Sequence, residues 1–208
     1  MVATKISASI LDADFMRLKE DIDKIVDEVD ELHLDVMDGV FVDNISFGPS
    51  IISRVRDTYP HAFLDTHIMI SRPEALWPAF EKAGSNVITF HYEATPHAYI
   101  VCKQLRDAGV AAGISVTPVT DVRLLEPIRE HIDRLLIMTV EPGFGGQSFV
   151  PAMLRKIETA RKLLGDDVDI EVDGGIKDST VTDAHKAGAN VFVAGSFIFE
   201  SDDPRARV

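Results

Sequence analysis

Cysteine is almost missing from these 208 residues; Cys102 is the only one. An intrachain disulfide is therefore impossible, and a thiolate metal cluster is excluded. Cys102 falls in "AYIVCKQL" and reads as a packed small hydrophobe. Long apolar runs are missing too, and no stretch has the length of a membrane span. The start, "MVATKISASILDADF", lacks the basic-then-apolar layout of a secretory signal. These absences predict a cytoplasmic protein with no membrane partner. Positive charge is in short supply, with 21 Lys and Arg against 34 Asp and Glu and a formal net charge of −13. Such a chain repels polyanions at long range, which argues against a nucleic-acid partner. It can still hold a small phosphate through backbone N–H groups. No Pro/Gly/Ser-rich linker or low-complexity segment divides the chain, so residues 1–208 read as one domain.

What is present is an alternation. Short apolar runs suited to buried strands recur eight times: "KISASI", "ELHLDVM", "AFLDTHIM", "NVITFH", "VAAGISV", "RLLIMTV", "VDIEV" and "NVFVAG". Most gaps between them read as helices. In "DFMRLKEDIDKIVDEV", Phe15, Leu18, Ile22, Ile25, Val26 and Val29 share one face of a 3.6-residue period. "SRPEALWPAFEKAG" carries Ser71 and Glu74 at capping-box spacing. "DSTVTDAHKAG" offers Asp178 as an N-cap and Gly188 as a stop. Strand–helix alternation implies a parallel sheet covered by helices. Eight units at about 25 residues each suit a closed (β/α)₈ TIM barrel. An open doubly wound sheet is the alternative, but no G-x-G-x-x-G follows the first strand. Only "SDDPRARV" follows "VFVAGSFIFE", so the last helix is expected to be short or truncated.

In a barrel of this kind chemistry collects at the C-terminal strand ends. Several unusual residues lie there. "HLDVMDGVF" places His33 and Asp35 two apart, on one face of a strand. "LDTHIM" adds His67 and "IEVDGG" adds Asp173. Each alone reads as a hydrogen-bonded core residue. Two imidazoles and two carboxylates together form an N/O donor set for one divalent cation, which would compensate both acids. Glycine-rich pieces follow three of the later strands: Gly143, Phe144, Gly145 and Gly146 in "EPGFGGQSF", Gly174 and Gly175 in "DGGI", and Gly195 with Ser196 in "AGS". Backbone N–H groups freed of a neighbouring Cβ can turn toward an anion, and barrels commonly hold phosphate on loops seven and eight. Met37, Met69 and Met138 sit near the same ends, either as core or as a soft, dry wall around a carbanion. His91 reads as a core histidine; His97 and His185 read as solvated helical positions.

"SASILDADF", "HLDVMDGVFVDNISFGP", "LDTHIMISRP", "ITFHYEA", "MTVEPGFGGQSF", "IEVDGGI" and "VAGSFIF" resemble, in order and across nearly the whole chain, the ribulose-phosphate 3-epimerase family. The resemblance implies a TIM barrel that interconverts D-ribulose 5-phosphate and D-xylulose 5-phosphate in the pentose phosphate pathway. It implies that His33, Asp35, His67 and Asp173 bind one zinc, iron(II), manganese or cobalt ion, and that Asp35 and Asp173 are the acid–base pair. Ser9 and His67 would contact substrate, the glycine segments would hold its phosphate, and the enzyme would be a homo-oligomer. Three positions depart from the family pattern: Ala8 where proline is frequent, and Val40 and Asp43 where histidine and proline are usual. An epimerase for a related ketose phosphate such as D-allulose 6-phosphate would use the same machinery. A decarboxylase or synthase on a phosphate-binding barrel would bring lysine to the strand ends, where this sequence has none. A non-catalytic phosphosugar binder would leave the paired acids unexplained.

Overall fold

The computed structural model describes residues 2–208. Eight parallel strands close in chain order: β1 (Lys5–Ser9), β2 (Glu31–Met37), β3 (Leu64–Met69), β4 (Val87–His91), β5 (Ala111–Val116), β6 (Arg134–Met138), β7 (Asp169–Asp173) and β8 (Val191–Ala194). Ser7 of β1 aligns with Glu31 on one side and with Val193 on the other, which completes the ring. The fold is therefore a (β/α)₈ TIM barrel, and the open sheet is excluded. The helices are α1 (Leu18–Ile25), α2 (Pro49–Thr58), α3 (Pro73–Lys82), α4 (Ala98–Asp107), α5 (Met153–Leu164), α6 (Asp178–Ala187) and α7 (Ser196–Phe199). The last has only four residues, as the short tail suggests.

The two faces of each strand have opposite characters. Outward residues such as Leu32, Leu34, Val36, Leu64 and Ile68 join Ile22, Ile25, Ile52 and Val55 of the helices in one apolar layer. Burial of that layer drives folding, at about 25 cal/mol per Å² removed from water. Branched apolar side chains dominate most barrel interiors. Here Ser7, Glu31, His33, Asp65, His67, Arg134 and Glu171 are all buried instead. Arg134 holds this interior together. Its Nη1 and Nη2 donate to Glu31 Oε2 and Oε1 at 2.6 and 2.7 Å, a bidentate fork. Nη2 also donates to Asp169 Oδ2 at 3.2 Å, and Nη1 lies 3.4 Å from Asp65 Oδ2.

Some local details differ from the sequence reading. The segment Val122–His131 between β5 and β6 winds as a 3₁₀ helix rather than an α-helix, and Pro127 lies inside it. Proline has no N–H for an i−4 bond and its ring clashes with that carbonyl, so a regular α-helix is disfavoured there. The first helix is shorter than its apolar stripe. Asp14 Oδ1 accepts from the Met16 N–H at 2.9 Å, which sets a turn before Leu18. Ser71 does not cap α3; its N–H and Oγ donate to Asp38 Oδ2 at 2.7 and 2.9 Å. Asp178 is the first residue inside α6 rather than its cap, and the Lys177 N–H donates to Thr180 Oγ1 at 3.0 Å.

Arg134→Leu should destabilise the protein by about 3–5 kcal/mol, because Glu31 and Asp65 would stay buried without their cation. Urea unfolding checks this. A loss below about 1 kcal/mol would show that the fork does not balance the interior.

Candidate functional site

The C-terminal strand ends open into a cleft of about 560 Å³. Ser9, Asp35, Met37, Met69, Met138 and Asp173 line it, together with Gly143, Phe144, Gly145, Gly146, Gly174, Gly175, Gly195 and Ser196. His33 and His67 lie directly beneath, fully buried. The sequence-predicted residues thus converge, although they come from strands and loops all around the ring.

The floor of the cleft is a chain of imidazoles and carboxylates. Asp35 Oδ1 lies 3.2 Å from His33 Nε2 and 3.0 Å from His67 Nδ1. Asp173 Oδ2 lies 4.0 Å from His67 Nδ1. One ligand atom from each of the four residues lies within 4.8 Å of all the others. Ser9 Oγ donates to Asp35 Oδ2 at 2.7 Å and fixes that carboxylate's rotation. On the far side of the ring, His33 Nδ1 meets Asp65 Oδ2 at 2.6 Å. A ring whose Nδ1–H is held by a carboxylate presents its Nε2 lone pair to the cleft, the arrangement that orients histidine ligands in metal sites.

Charge is out of balance here, and the direction matters. Burial disfavours the Asp35 carboxylate, but His33 and His67 outweigh it and hold Asp35 well below the usual carboxylate range. Burial, then Asp35, pushes Asp173 up to about 7. Burial would lower His33, but Asp35 and Asp65 raise it well above an ordinary imidazole. Burial takes His67 down to about 4. The upward shifts of His33 and Asp173 both reflect a shortage of positive charge among clustered acids. A divalent cation would supply that positive charge, and a donor set of two imidazoles and two carboxylates could hold one. A second group, His33, Asp65 and Glu171, also clusters deeper in the barrel. Its His33 nitrogen already faces Asp65 at 2.6 Å, so it reads as support for the upper group.

The loops are tied down from several directions. Asp38 Oδ1 accepts from Val40 and Phe41 N–H, both at 2.8 Å, while Oδ2 takes Ser71. Asn44 Nδ2 donates to the Gly143 carbonyl at 2.7 Å. Thr139 Oγ1 donates to the carbonyls of Asp173 and Gly174 at 2.8 and 2.6 Å, which sets the end of β7. Gly175 has φ +67°, and a Cβ there would run into the Phe149 backbone nitrogen, so only glycine brings this loop so close.

Sequence reasoning missed Asp65, Glu171 and Arg134, which act through contacts from distant strands. It also missed Asp12. This carboxylate lines the cleft and stands against both Gly145 and Gly195, where an added Cβ would strike its oxygens. Burial, then Asp35 and Glu200, raises its carboxyl against a lowering contact from the Ser196 backbone. No signal short of the fold links position 12 to loops six and eight.

The sequence model of the ribulose-phosphate 3-epimerase family matches residues 5–199. The chain belongs to that family. A Ribulose-phosphate 3-epimerase of Buchnera aphidicola is 43% identical over 199 residues, covering 94% of this chain and 87% of the relative. The Bacillus subtilis protein of the same name is 40% identical over 210 residues, covering 98% and 96%. The chain is accordingly an epimerase. Solved structures with the same fold include a 3-hexulose-6-phosphate synthase (TM-score 0.74, 22% identity, covering 98% of this chain and 95% of that one). Another is the KGPDC from Streptococcus mutans (TM-score 0.72, 14% identity, covering 100% and 94%). Those identities speak for the barrel alone. The lysine expected of a decarboxylase or synthase does not line the cleft of this epimerase among the described residues. No helix of the described residues is long and apolar enough to cross a membrane.

Asp12 places a negative group beside the loops expected to hold phosphate. Asp12→Asn should therefore lower the KM for a phosphorylated ketose several-fold, a gain of about 1 kcal/mol from one removed like charge near the surface. Steady-state kinetics checks it, and a raised KM would show that the carboxylate helps to bind substrate.

Proposed function

We propose that the chain interconverts D-ribulose 5-phosphate and D-xylulose 5-phosphate by moving the C3 proton between two carboxylates, Asp35 and Asp173. The observation that carries this reading is the pair itself. Two acids, Asp35 buried and Asp173 half-buried, rise from β2 and β7, on different sides of the mouth, and their environments drive their proton affinities apart. Carboxylates separated in this way are suited to serve as base and acid in one step.

In one direction Asp35 takes the C3 proton, and the C–H electron pair passes into a C2–C3 enediolate. Asp173 then returns a proton to C3 on the other face. In the reverse direction the roles exchange. Free Asp, with a pKa of about 3.9, is a weak base for such a proton. His33 Nε2, Asp35, His67 Nδ1 and Asp173 would hold one divalent cation. When bound it supplies Lewis acidity, which acidifies the C3–H and stabilises negative charge on the substrate oxygens. Met37, Met69 and Met138 wall the reacting carbon and limit water at the enediolate. Ser9 keeps Asp35 in place and can reach a sugar hydroxyl. Backbone amides around Gly145, Gly175 and Ser196 would take the phosphate, since Gly, Phe and Ser rather than Arg occupy those positions. Residues 1–208 act as one catalytic domain in this reading. The family further suggests the pentose phosphate pathway, a cytoplasmic setting and a homo-oligomer.

Asp35→Asn and Asp173→Asn should each reduce turnover by about 10²–10⁴-fold. Chelation should abolish activity, and added zinc, iron(II), manganese or cobalt should restore it. Full activity in protein shown by elemental analysis to be free of metal would end the cation assignment. The sharper measurement is C3 exchange with solvent deuterium in variants that retain metal. A variant with one acid left should exchange from only one epimer; equal exchange from both would falsify the two-base assignment. A coupled assay of ribulose 5-phosphate beside allulose 6-phosphate decides the sugar, with the pentose expected to react faster.

A further inference from the structure

On the reading given above, the cradle for phosphate is made of donors, the backbone N–H groups around Gly145, Gly175 and Ser196. Among the described residues no lysine or arginine lines the cleft. One group of opposite character stands between the loops. Asp12 Oδ1 lies over Gly145 of loop six and Oδ2 over Gly195 of loop eight, each where an added Cβ would strike it. An ionised carboxylate only accepts hydrogen bonds. A doubly charged phosphate ester also only accepts. Set beside Asp12, it would bring lone pairs to lone pairs with no cation between them.

Asp12 is held at both ends, so it is not free to swing aside. Its backbone belongs to the 3₁₀ turn Ile10–Asp12, anchored by the fully buried Ile10. Ser9 Oγ accepts from the Leu11 N–H at 3.3 Å, and the Ile10 carbonyl accepts from the Ala13 N–H at 3.2 Å. The carboxylate end is half-buried, lies against two glycines and meets the Ser196 N–H. The charged groups that act on it are acids: Asp35 from β2, Asp173 from β7 and Glu200 beyond α7. Glu141 of loop six lines the same cleft. Lys177 lines a separate outer pocket with Glu200. Burial pushes the Asp12 carboxyl up, Asp35 and Glu200 add to it, and the Ser196 N–H pulls it down. These surroundings favour a proton between Asp12 and an anion seated beside it.

We infer that Asp12 makes the cradle select a phosphoryl group that carries a proton. The P–OH donates to the Asp12 carboxylate, the remaining oxygens accept from the backbone N–H groups, and an anion with no proton to give is rejected. The ligand class is therefore the singly charged phosphate ester, against the doubly charged ester and against sulfate. Rejection by an unpaired charge is a recognised route to specificity. The proton enters with the ligand from water and leaves with it, so it takes no part in the exchange at C3. This rests on the reading of the glycine loops as the phosphate site.

Inorganic phosphate at pH 7 carries at least one proton and sulfate carries none, so the two anions probe the idea directly. Titration calorimetry of the full chain at matched ionic strength should find phosphate bound at least about tenfold more tightly than sulfate. Asp12→Asn replaces the acceptor with a group that can also donate. Sulfate should then gain, and the two anions should bind within about threefold of each other. Kinetics gives a second readout. The second pKa of a phosphate ester is about 6, so its singly charged fraction falls about tenfold from pH 7 to pH 8. The ratio of wild-type KM to Asp12→Asn KM for the phosphorylated ketose should rise by about that factor, with no matching trend in the kcat ratio. Taking the ratio cancels the titration of groups that both proteins share. Equal affinity of the wild type for phosphate and sulfate, a phosphate preference that survives Asp12→Asn, or a KM ratio that does not change with pH would overturn the inference. If Asp12→Asn does not fold, as judged by circular dichroism, the wild-type preference decides alone. Amide ¹H–¹⁵N shifts separate this inference from the reading beneath it. Phosphate and sulfate that move the Gly145, Gly175 and Ser196 signals with equal affinity would overturn the role of Asp12 and leave the phosphate site standing. Phosphate that moves none of those signals would overturn the phosphate site, and the inference with it.

Discussion

Arg134 forks onto Glu31 at the bottom of the barrel, and the rest of the interior is arranged upward from that contact. Of the described lysines and arginines only Arg134 is buried, among acids contributed by β2, β3 and β7. Its charge steadies Asp65, Asp65 holds one nitrogen of His33, and the other nitrogen of His33 meets Asp35. Orientation is passed from floor to mouth through charge-assisted contacts, each stronger in the dry interior than it would be in water. An interior of valine and leucine would not need this balance, and ion pairs of this kind are often no more stabilising than apolar packing. It would also leave nothing to aim an imidazole.

Much of this architecture is legible along the chain because barrel strands are local objects. Glu31–Met37 coincides with the run "ELHLDVM", and the other strands differ from their runs by a few end residues. The same holds for the candidate site: His33, Asp35, His67 and Asp173 stand out as polar residues inside apolar runs, and the glycine loops stand out by composition. What is not legible depends on partners far away. Ser71 has the spacing of a cap, yet Asp38 offers it two hydrogen bonds from another loop. Arg134 and Glu171 look like alternating surface positions until the barrel closes around them. His91 reads as a core histidine, and it is buried, but burial alone does not reveal the nitrogen it faces.

The phosphate side of the cleft shows a different limit. Composition makes the glycine loops conspicuous and says nothing about what stands between them. Asp12 comes from the 3₁₀ turn after β1 and reaches loops six and eight only because β1 and β8 are neighbours. A loop region that reads as an uncomplicated anion cradle therefore carries an acid of its own. The electrostatics of the cleft belong to the closed ring rather than to any one motif.

That ring is sealed by the pairing of Ser7 with Val193 and of Lys5 with Val191. The seam joins the first strand of the barrel to the last, so it cannot form until β8 has been made. Topologies dominated by such distant pairings fold slowly, because a long chain must be gathered before the contacts reward it. During that interval the concave side of the unfinished sheet faces water. In this protein that side carries Glu31, His33, Asp65, Arg134 and Glu171, groups that water solvates well. The half-built barrel therefore presents a hydrophilic trough where most barrels would present an apolar one, and nascent chains waiting for β8 have less reason to stick to one another.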